Sequence, residues 1–166
     1  FSGGLDTSFC VPYLKEQGYE VHTVMVNTGG FSAEEEKAIE ERAMKLGAAS
    51  HKNVNAVNTY YEKGIRYLIY GNILKNATYP LSVSSERVFQ ALEVLKQVKA
   101  IGADAVAHGS TGAGNDQVRF DIVFEILAPS VEIIAPVREH GFTRQYEIDF
   151  LQQHGYDFTW EKAKYS

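Results

Sequence analysis

At 166 residues, 45% hydrophobic and 22% charged, the chain is long enough for one domain with a substantial core and too apolar for a disordered chain. A net charge of −5, a pI near 5.5 and no run of Lys or Arg disfavour a nucleic-acid partner, which needs a basic stripe to track phosphates. The single cysteine, Cys10, permits no internal disulfide, no Cys/His cluster suggests zinc, and no stretch reads as a membrane span or signal peptide, so a cytoplasmic protein is expected.

The chain opens on FSGGLDTSF, followed by apolar Cys10, Val11, Tyr13 and Leu14 up to Gly18, which predicts a helix over 7–17 with Pro12 early in it. VHTVMV, 21–26, is a short apolar run closed by Asn27, Thr28, Gly29 and Gly30, and reads as a buried strand. Ser32 with Glu35 three residues on is a capping-box pattern that opens a helix to Leu46, with Gly47 as its stop. A weaker strand is expected over 50–54 and a helical stretch over 59–73, followed by the turn-rich NATYPLSVSS. From Ser85 or Glu86, the positions Val88, Leu92, Leu95, Val98 and Ile101 keep helical spacing up to Gly102. ADAVA, 103–107, reads as a strand, HGSTGAGN as a glycine-rich loop and 116–127 as an amphipathic helix. VEIIA, 131–135, is a strand closed by Pro136, and 143–154 is the last helix.

Strands alternating with helices of this length build parallel βαβ units. The expected architecture is one α/β domain over 1–166: a doubly wound, mostly parallel sheet with helices on both faces. Ligands of such sheets collect beyond the carboxyl ends of the strands, where the glycine loops fall.

SGGLDTS has two readings. As an anion nest, Gly3 and Gly4 offer backbone N–H groups, the helix start adds positive potential, and Ser2, Thr7 and Ser8 supply hydroxyls. Asp6 would then bridge a Mg²⁺ to phosphate, whereas in the plainer reading it caps the helix. The Lys of a Walker-type loop is absent. Taken alone, Arg87, Asp116 and Arg119 fit solvated helix charges, Cys10 fits a core position, and His108 fits a hydrogen-bonded structural histidine better than a base.

SGGLDTS resembles the SGGxDS/T fingerprint of the PP-loop ATP pyrophosphatases, the adenine nucleotide alpha hydrolase-like fold. AHGSTGAGNDQVRF, 107–120, is similar to the HGxTGKGNDQVRFE segment of argininosuccinate synthases; YPLSVSSER, 79–87, and LAPSVEIIAPVRE, 127–139, resemble two further segments of that family in the same order. The resemblance implies a ligase that joins citrulline and aspartate to give argininosuccinate, AMP and pyrophosphate in arginine biosynthesis, using ATP and Mg²⁺. It gives Ser2, Gly3, Gly4, Asp6, Thr7, Ser8 and Gly109 the ATP role, with Asp6 toward the metal. It gives Thr111, Asn115 and Asp116 the aspartate role, and Tyr79, Ser84, Arg87, Asn115 and Arg119 the citrulline role. Asp6, Asn115 and Arg119 are nearest the chemistry. It also implies a homotetramer of the full-length protein, a strand ahead of Phe1 and a second, larger synthetase domain, so a chain truncated at both ends is expected. Two positions depart from the family pattern: Ala113 stands where TGKGNDQ has Lys, and Val83 where a Thr is common. A nucleotide-binding module without catalysis is the alternative of a different class. A tRNA-thiolating relative is opposed by the lone Cys10, the acidic balance and GNDQVR.

Overall fold

In a computed structural model, which describes residues 1–160 and only the backbone at 75 and 79, the two halves of the chain build the same kind of unit. Helix α1 (Leu5–Glu16) leads to strand β1 (His22–Asn27), helix α2 (Ala33–Lys45) and strand β2 (Ser50–Asn55). The two strands run parallel, from His22 opposite Ser50 to Asn27 opposite Asn55. The capping box forms as expected: Ser32 accepts from the Glu35 N–H while the Glu35 carboxylate accepts from the Ser32 N–H.

The helix expected over 59–73 is broken into three. Helix α3 (Val57–Tyr60) runs into a π-helical turn (Tyr61–Ile65) and then helix α4 (Arg66–Tyr70). Gly64 lies in the wide turn, and a Cβ there would sit 2.9 Å from the Phe89 ring, so this turn packs closely on a neighbouring helix and admits only glycine at that point. A short hairpin follows, β3 (Leu74–Lys75) and β4 (Tyr79–Pro80), turned by Asn76 and Ala77 at φ 54° and 56°.

Helix α5 (Ser82–Ile101) starts a turn earlier than its apolar spacing indicates. Its first residues are held from outside, since the Tyr60 hydroxyl donates to the Ser82 carbonyl at 2.6 Å and lies 3.0 Å from the Ser85 hydroxyl. Strand β5 (Ala105–Ala107), helix α6 (Asp116–Leu127) and strand β6 (Glu132–Ile134) complete the second parallel pair, both strands shorter than expected. Helix α7 (Pro136–His140) forms between the last expected strand and the last expected helix. Proline at its first turn and Gly141 at φ 63° are its start and stop signals. Helix α8 (Arg144–Gln153) is capped by Thr143, which accepts from the Tyr146 N–H.

Adjacent residues of β6 separate two cores. Ile133 packs with Ala91, Leu95, Val106 and Phe124 from α5, β5 and α6, whereas Ile134 packs with Phe9, Leu46, Val137 and Leu151 from α1, the end of α2, α7 and α8. Successive side chains of a strand point to opposite faces, so helices cover both sides as the α/β reading requires. Among the described residues the parallel ladders join β1 with β2 and β5 with β6, with none between the two pairs. The Phe1 amine donates to the Val24 carbonyl of β1, so the start of the chain lies against that strand. No helix of the described residues is long and apolar enough to cross a membrane.

Candidate active site

The first loop enters α1 without a side-chain cap. Gly4 takes the N-cap position with ψ 171°, and no side chain bonds back to the helix N–H groups. Asp6 is therefore not the cap. It sits half-buried in the first turn, at the positive end of the helix, and among the described residues no side chain caps the first-turn N–H groups. Thr7 Oγ1 donates to the Gly4 carbonyl at 3.2 Å, and Ser2 Oγ lies 3.5 Å from both Thr7 Oγ1 and the Gly4 N–H. Gly3 adopts φ 72°, a left-handed conformation for which glycine is suited.

The second loop follows β5 and closes onto the first. A Cβ at Gly109 would lie 2.9 Å from the carbonyl carbon of Asp6, 3.0 Å from the Thr7 nitrogen and 3.1 Å from the Asp6 Cβ. Only a residue without a side chain permits that approach. Further along, Gln117 Nε2 donates to the carbonyls of Gly112 and Gly114 at 2.9 and 3.2 Å, and Arg138 from α7 donates to Gln117 Oε1 at 3.1 Å and also to Asp121. His108 braces the base of the loop. Its Nδ1 accepts from the Ser110 N–H at 3.2 Å, so Nε2 carries the hydrogen and donates to Asp121 at 2.9 Å. Burial holds its pKa below the usual value despite Asp121, which leaves the ring neutral and structural.

Ser84, Arg87, Asp116 and Arg119 form one polar cluster at the facing starts of α5 and α6. Asp116 accepts from Arg87 Nε at 2.9 Å and from Arg119 Nη1 at 2.6 Å, and Arg119 Nη2 donates to Ser84 Oγ at 3.1 Å. Glu86 continues the cluster, accepting from Arg87 at 3.2 Å and from the Thr28 hydroxyl beyond β1. Burial raises the Asp116 pKa, but bonds from and charges on the two arginines outweigh it and hold the carboxyl below its ordinary range. These are not free surface charges. Thr111 and Asn115 lie exposed on the loop, Asn115 giving its carbonyl to the Arg119 N–H at 3.2 Å. Ala113 is exposed between the two stapled glycines, and Val83 is exposed at the start of α5. The Tyr79 side chain lies outside the described residues.

Two findings under the first loop were not foreseen. Ser8, expected as a phosphate contact, is completely buried with its hydroxyl unpartnered, so in this structure it belongs to the core and not to the mouth of the loop. Glu147 from α8 is buried too, and its carboxyl meets that of Asp6. Burial first, then the Asp6 charge and the hydrogen bond to Asp6, push its pKa from 4.5 up to about 8, against Arg144. Cys10 is core as expected, its thiol pushed up to about 12, chiefly by burial.

The Glu147 shift has a definite sign. The folded chain keeps a proton up to about pH 8 that the unfolded chain releases near 4.5, so stability falls as pH rises through that window. Glu147→Gln, which keeps the shape and a donor but cannot ionise, is expected to raise the melting temperature at about pH 8–9 and to change it little near pH 5. Thermal unfolding across that range checks it; a difference independent of pH would show that the buried carboxyl is not the cause.

The model of the arginosuccinate synthase N-terminal HUP domain matches residues 1–157. The chain belongs to the argininosuccinate synthase family. The HUP domain is an α/β fold of the PP-loop, Rossmann-like kind, in agreement with the parallel strands and two-sided helices seen here. The argininosuccinate synthase of Xylella fastidiosa is 45% identical over all of this chain and 42% of its own length. Those of Pyrobaculum aerophilum and Methanocaldococcus jannaschii are 44% and 41% identical, again over all of this chain and 42% of theirs. The chain thus spans about two-fifths of the length of the curated relatives it matches. Of the polar cluster at the starts of α5 and α6, Ser84, Arg87, Asp116 and Arg119 are the residues that the sequence singles out. Arg42, Glu86, Asp121, Arg138 and Glu147 carry no such signal: their partners are distant in the chain or lie on neighbouring elements, and their local patterns are those of ordinary helix charges.

Proposed function

We propose that this chain is the ATP-binding part of a ligase that joins citrulline and aspartate to give argininosuccinate, AMP and pyrophosphate. The observation that carries the reading is the approach of Gly109 to the backbone of Asp6 and Thr7, which brings two glycine loops to one corner beside a paired-arginine cluster. In this reading Ser2, Gly3, Gly4, Thr7 and Gly109 receive the triphosphate at the start of α1, where backbone N–H groups and helix potential favour an anion. Ser8, expected to join them, lies buried in the core beneath the loop and takes no phosphate contact in this reading.

A Mg²⁺ fits the donor set in one way only. Among the described residues no group of three acidic, histidine or cysteine side chains could hold an ion by itself, whereas Asp6 is one carboxylate at the loop. Mg²⁺ is commonly held through one or two carboxylates plus substrate phosphates, and Asp6 would hold it in that manner. Bound there, the ion supplies charge neutralisation on the phosphates.

Citrulline's carboxylate is read as the ligand of Arg87 and Arg119, with Ser84, Tyr79 and Asn115 around it, and aspartate as the ligand of Thr111, Asn115 and Asp116. The cluster explains how both amino acids are accommodated. With no substrate, one carboxylate occupies two arginines. An arriving ammonium group takes up Asp116, and an arriving carboxylate takes up the fork of Arg119, so each substrate replaces a partner that the other has engaged. The ureido oxygen of citrulline attacks the α-phosphorus and pyrophosphate leaves; the aspartate ammonium gives up a proton to water, the free amine attacks the ureido carbon, and AMP leaves with the oxygen as the new nitrogen sheds a second proton. The chain positions and stabilises charge, without a protein nucleophile. Citrulline, aspartate and ATP as partners, a homotetramer and a cytoplasmic location belong to this proposal as a whole.

Asp6→Ala in the whole protein tests it. Pyrophosphate release is expected to fall below detection while the circular dichroism spectrum is retained, because the one acid at the loop able to bridge a cation to phosphate is gone. Undiminished release would overturn the assignment of the loop.

A further inference from the structure

Arg42 in α2 aims its guanidinium at backbone and rings rather than at an acid. Its Nη1 donates to the carbonyl of Gly3, and among the described residues it makes no ion pair. The ring centres of Phe158 and Trp160 lie 5.0 and 5.3 Å from its central carbon. Those two rings meet edge to face at 5.6 Å, and the Lys45 ammonium sits 5.0 Å from Phe158. The segment is fastened at its start as well, where the Tyr156 hydroxyl donates to the Leu46 carbonyl at the end of α2. On the loop side the fit is close: a Cβ on Gly3 would come within 3.2 Å of Ile39 and 3.8 Å of Arg42 Nη1.

We propose that Arg42 is a positioning residue for the glycine loop and that the aromatic segment Tyr156–Trp160 sets its orientation. Three contacts act in series. The rings hold the planar guanidinium by cation–π stacking, the guanidinium holds the Gly3 carbonyl, and that bond fixes the left-handed turn which delivers the chain to the start of α1. The ordering of Gly3 and Gly4, whose freedom is costly to remove, is thereby met before a ligand arrives. It follows that a change in the segment beyond α8 is felt at the loop through Arg42.

The consequence for nucleotide affinity rests on the reading of this loop as an ATP site; the ordering of the loop does not. Hydrogen exchange of residues 2–6 without nucleotide, and calorimetric titration with ATP and Mg²⁺, are therefore measured separately on the whole protein. Arg42→Ala is expected to speed loop exchange and weaken ATP binding, each about tenfold, as for loss of one charge-assisted bond, with the amides of α5 and α6 unchanged. Arg42→Lys, which keeps the charge but not the planar fork, should recover part of both, and Trp160→Leu should fall between wild type and Arg42→Ala. Unchanged loop exchange in either Arg42→Ala or Trp160→Leu overturns the proposal, and the second variant decides if the first does not fold. Faster exchange with unaltered ATP affinity supports the clamp and overturns the nucleotide reading of the loop.

Discussion

Gly109→Ala is expected to lower ATP affinity by about a hundredfold, the scale on which misplacing binding groups by about 1 Å is felt. The added methyl carbon would lie 2.9 Å from the Asp6 carbonyl carbon and 3.0 Å from the Thr7 nitrogen. Both are backbone atoms of a helix start, so no side-chain rotation relieves the contact, and one loop must retreat from the other. Overpacking of this kind costs roughly 1–3 kcal/mol of stability, which for a domain of this size lowers the melting temperature by only about 2–12 °C. The loss of affinity should therefore exceed what partial unfolding explains. Calorimetric titration with ATP, at a temperature where both proteins are folded, separates the two. Unaltered affinity would mean that the second loop is not part of the nucleotide site.

The parts of the molecule that were legible in the sequence are those where local chemistry and global position agree. Ser32 and Glu35 specify their own helix start; VHTVMV, bounded by Asn27 and Gly29, has one reasonable reading; HGSTGAGNDQVR falls at the crossing from β5 to α6, where α/β proteins place ligands, and SGGLDTS opens α1. What stayed hidden depends on contacts between distant residues. Helix periodicity over 59–73 gives no warning of the π turn, and the close approach of Phe89 to Gly64 within it joins residues some 25 positions apart in the chain. Glu147 has the local pattern of a surface residue, and only the packing of α8 beneath α1 buries it against Asp6. The division into two parallel pairs was equally beyond the pattern of apolar residues, which identifies strands but not which of them share a ladder.

Arg119→Ala is expected to weaken citrulline binding by about 2–5 kcal/mol, roughly thirtyfold to several-thousandfold, and to leave thermal stability nearly unchanged. The two magnitudes diverge because they measure different losses. In the unliganded chain Arg119 is a partly exposed partner of Asp116, at 2.6 Å, and such pairs are worth about 0–1 kcal/mol. Asp116 moreover keeps Arg87 at 2.9 Å when Arg119 is gone, so no buried charge is orphaned by the substitution. In the proposed citrulline complex, the same truncation would leave the substrate carboxylate desolvated with one of its two arginines missing, and Arg87, also engaged by Glu86 at 3.2 Å and Gln90 at 3.1 Å, would not supply both halves of the grip. Arg119→Lys restores the charge without the fork and should recover only part of the loss. The apparent citrulline constant, read from pyrophosphate release by the whole protein alongside a melting curve, checks both halves. A large drop in melting temperature would make Arg119 a stabilising residue of the α5–α6 contact, and unchanged kinetics with unchanged melting would return it to the status of a solvated helix charge.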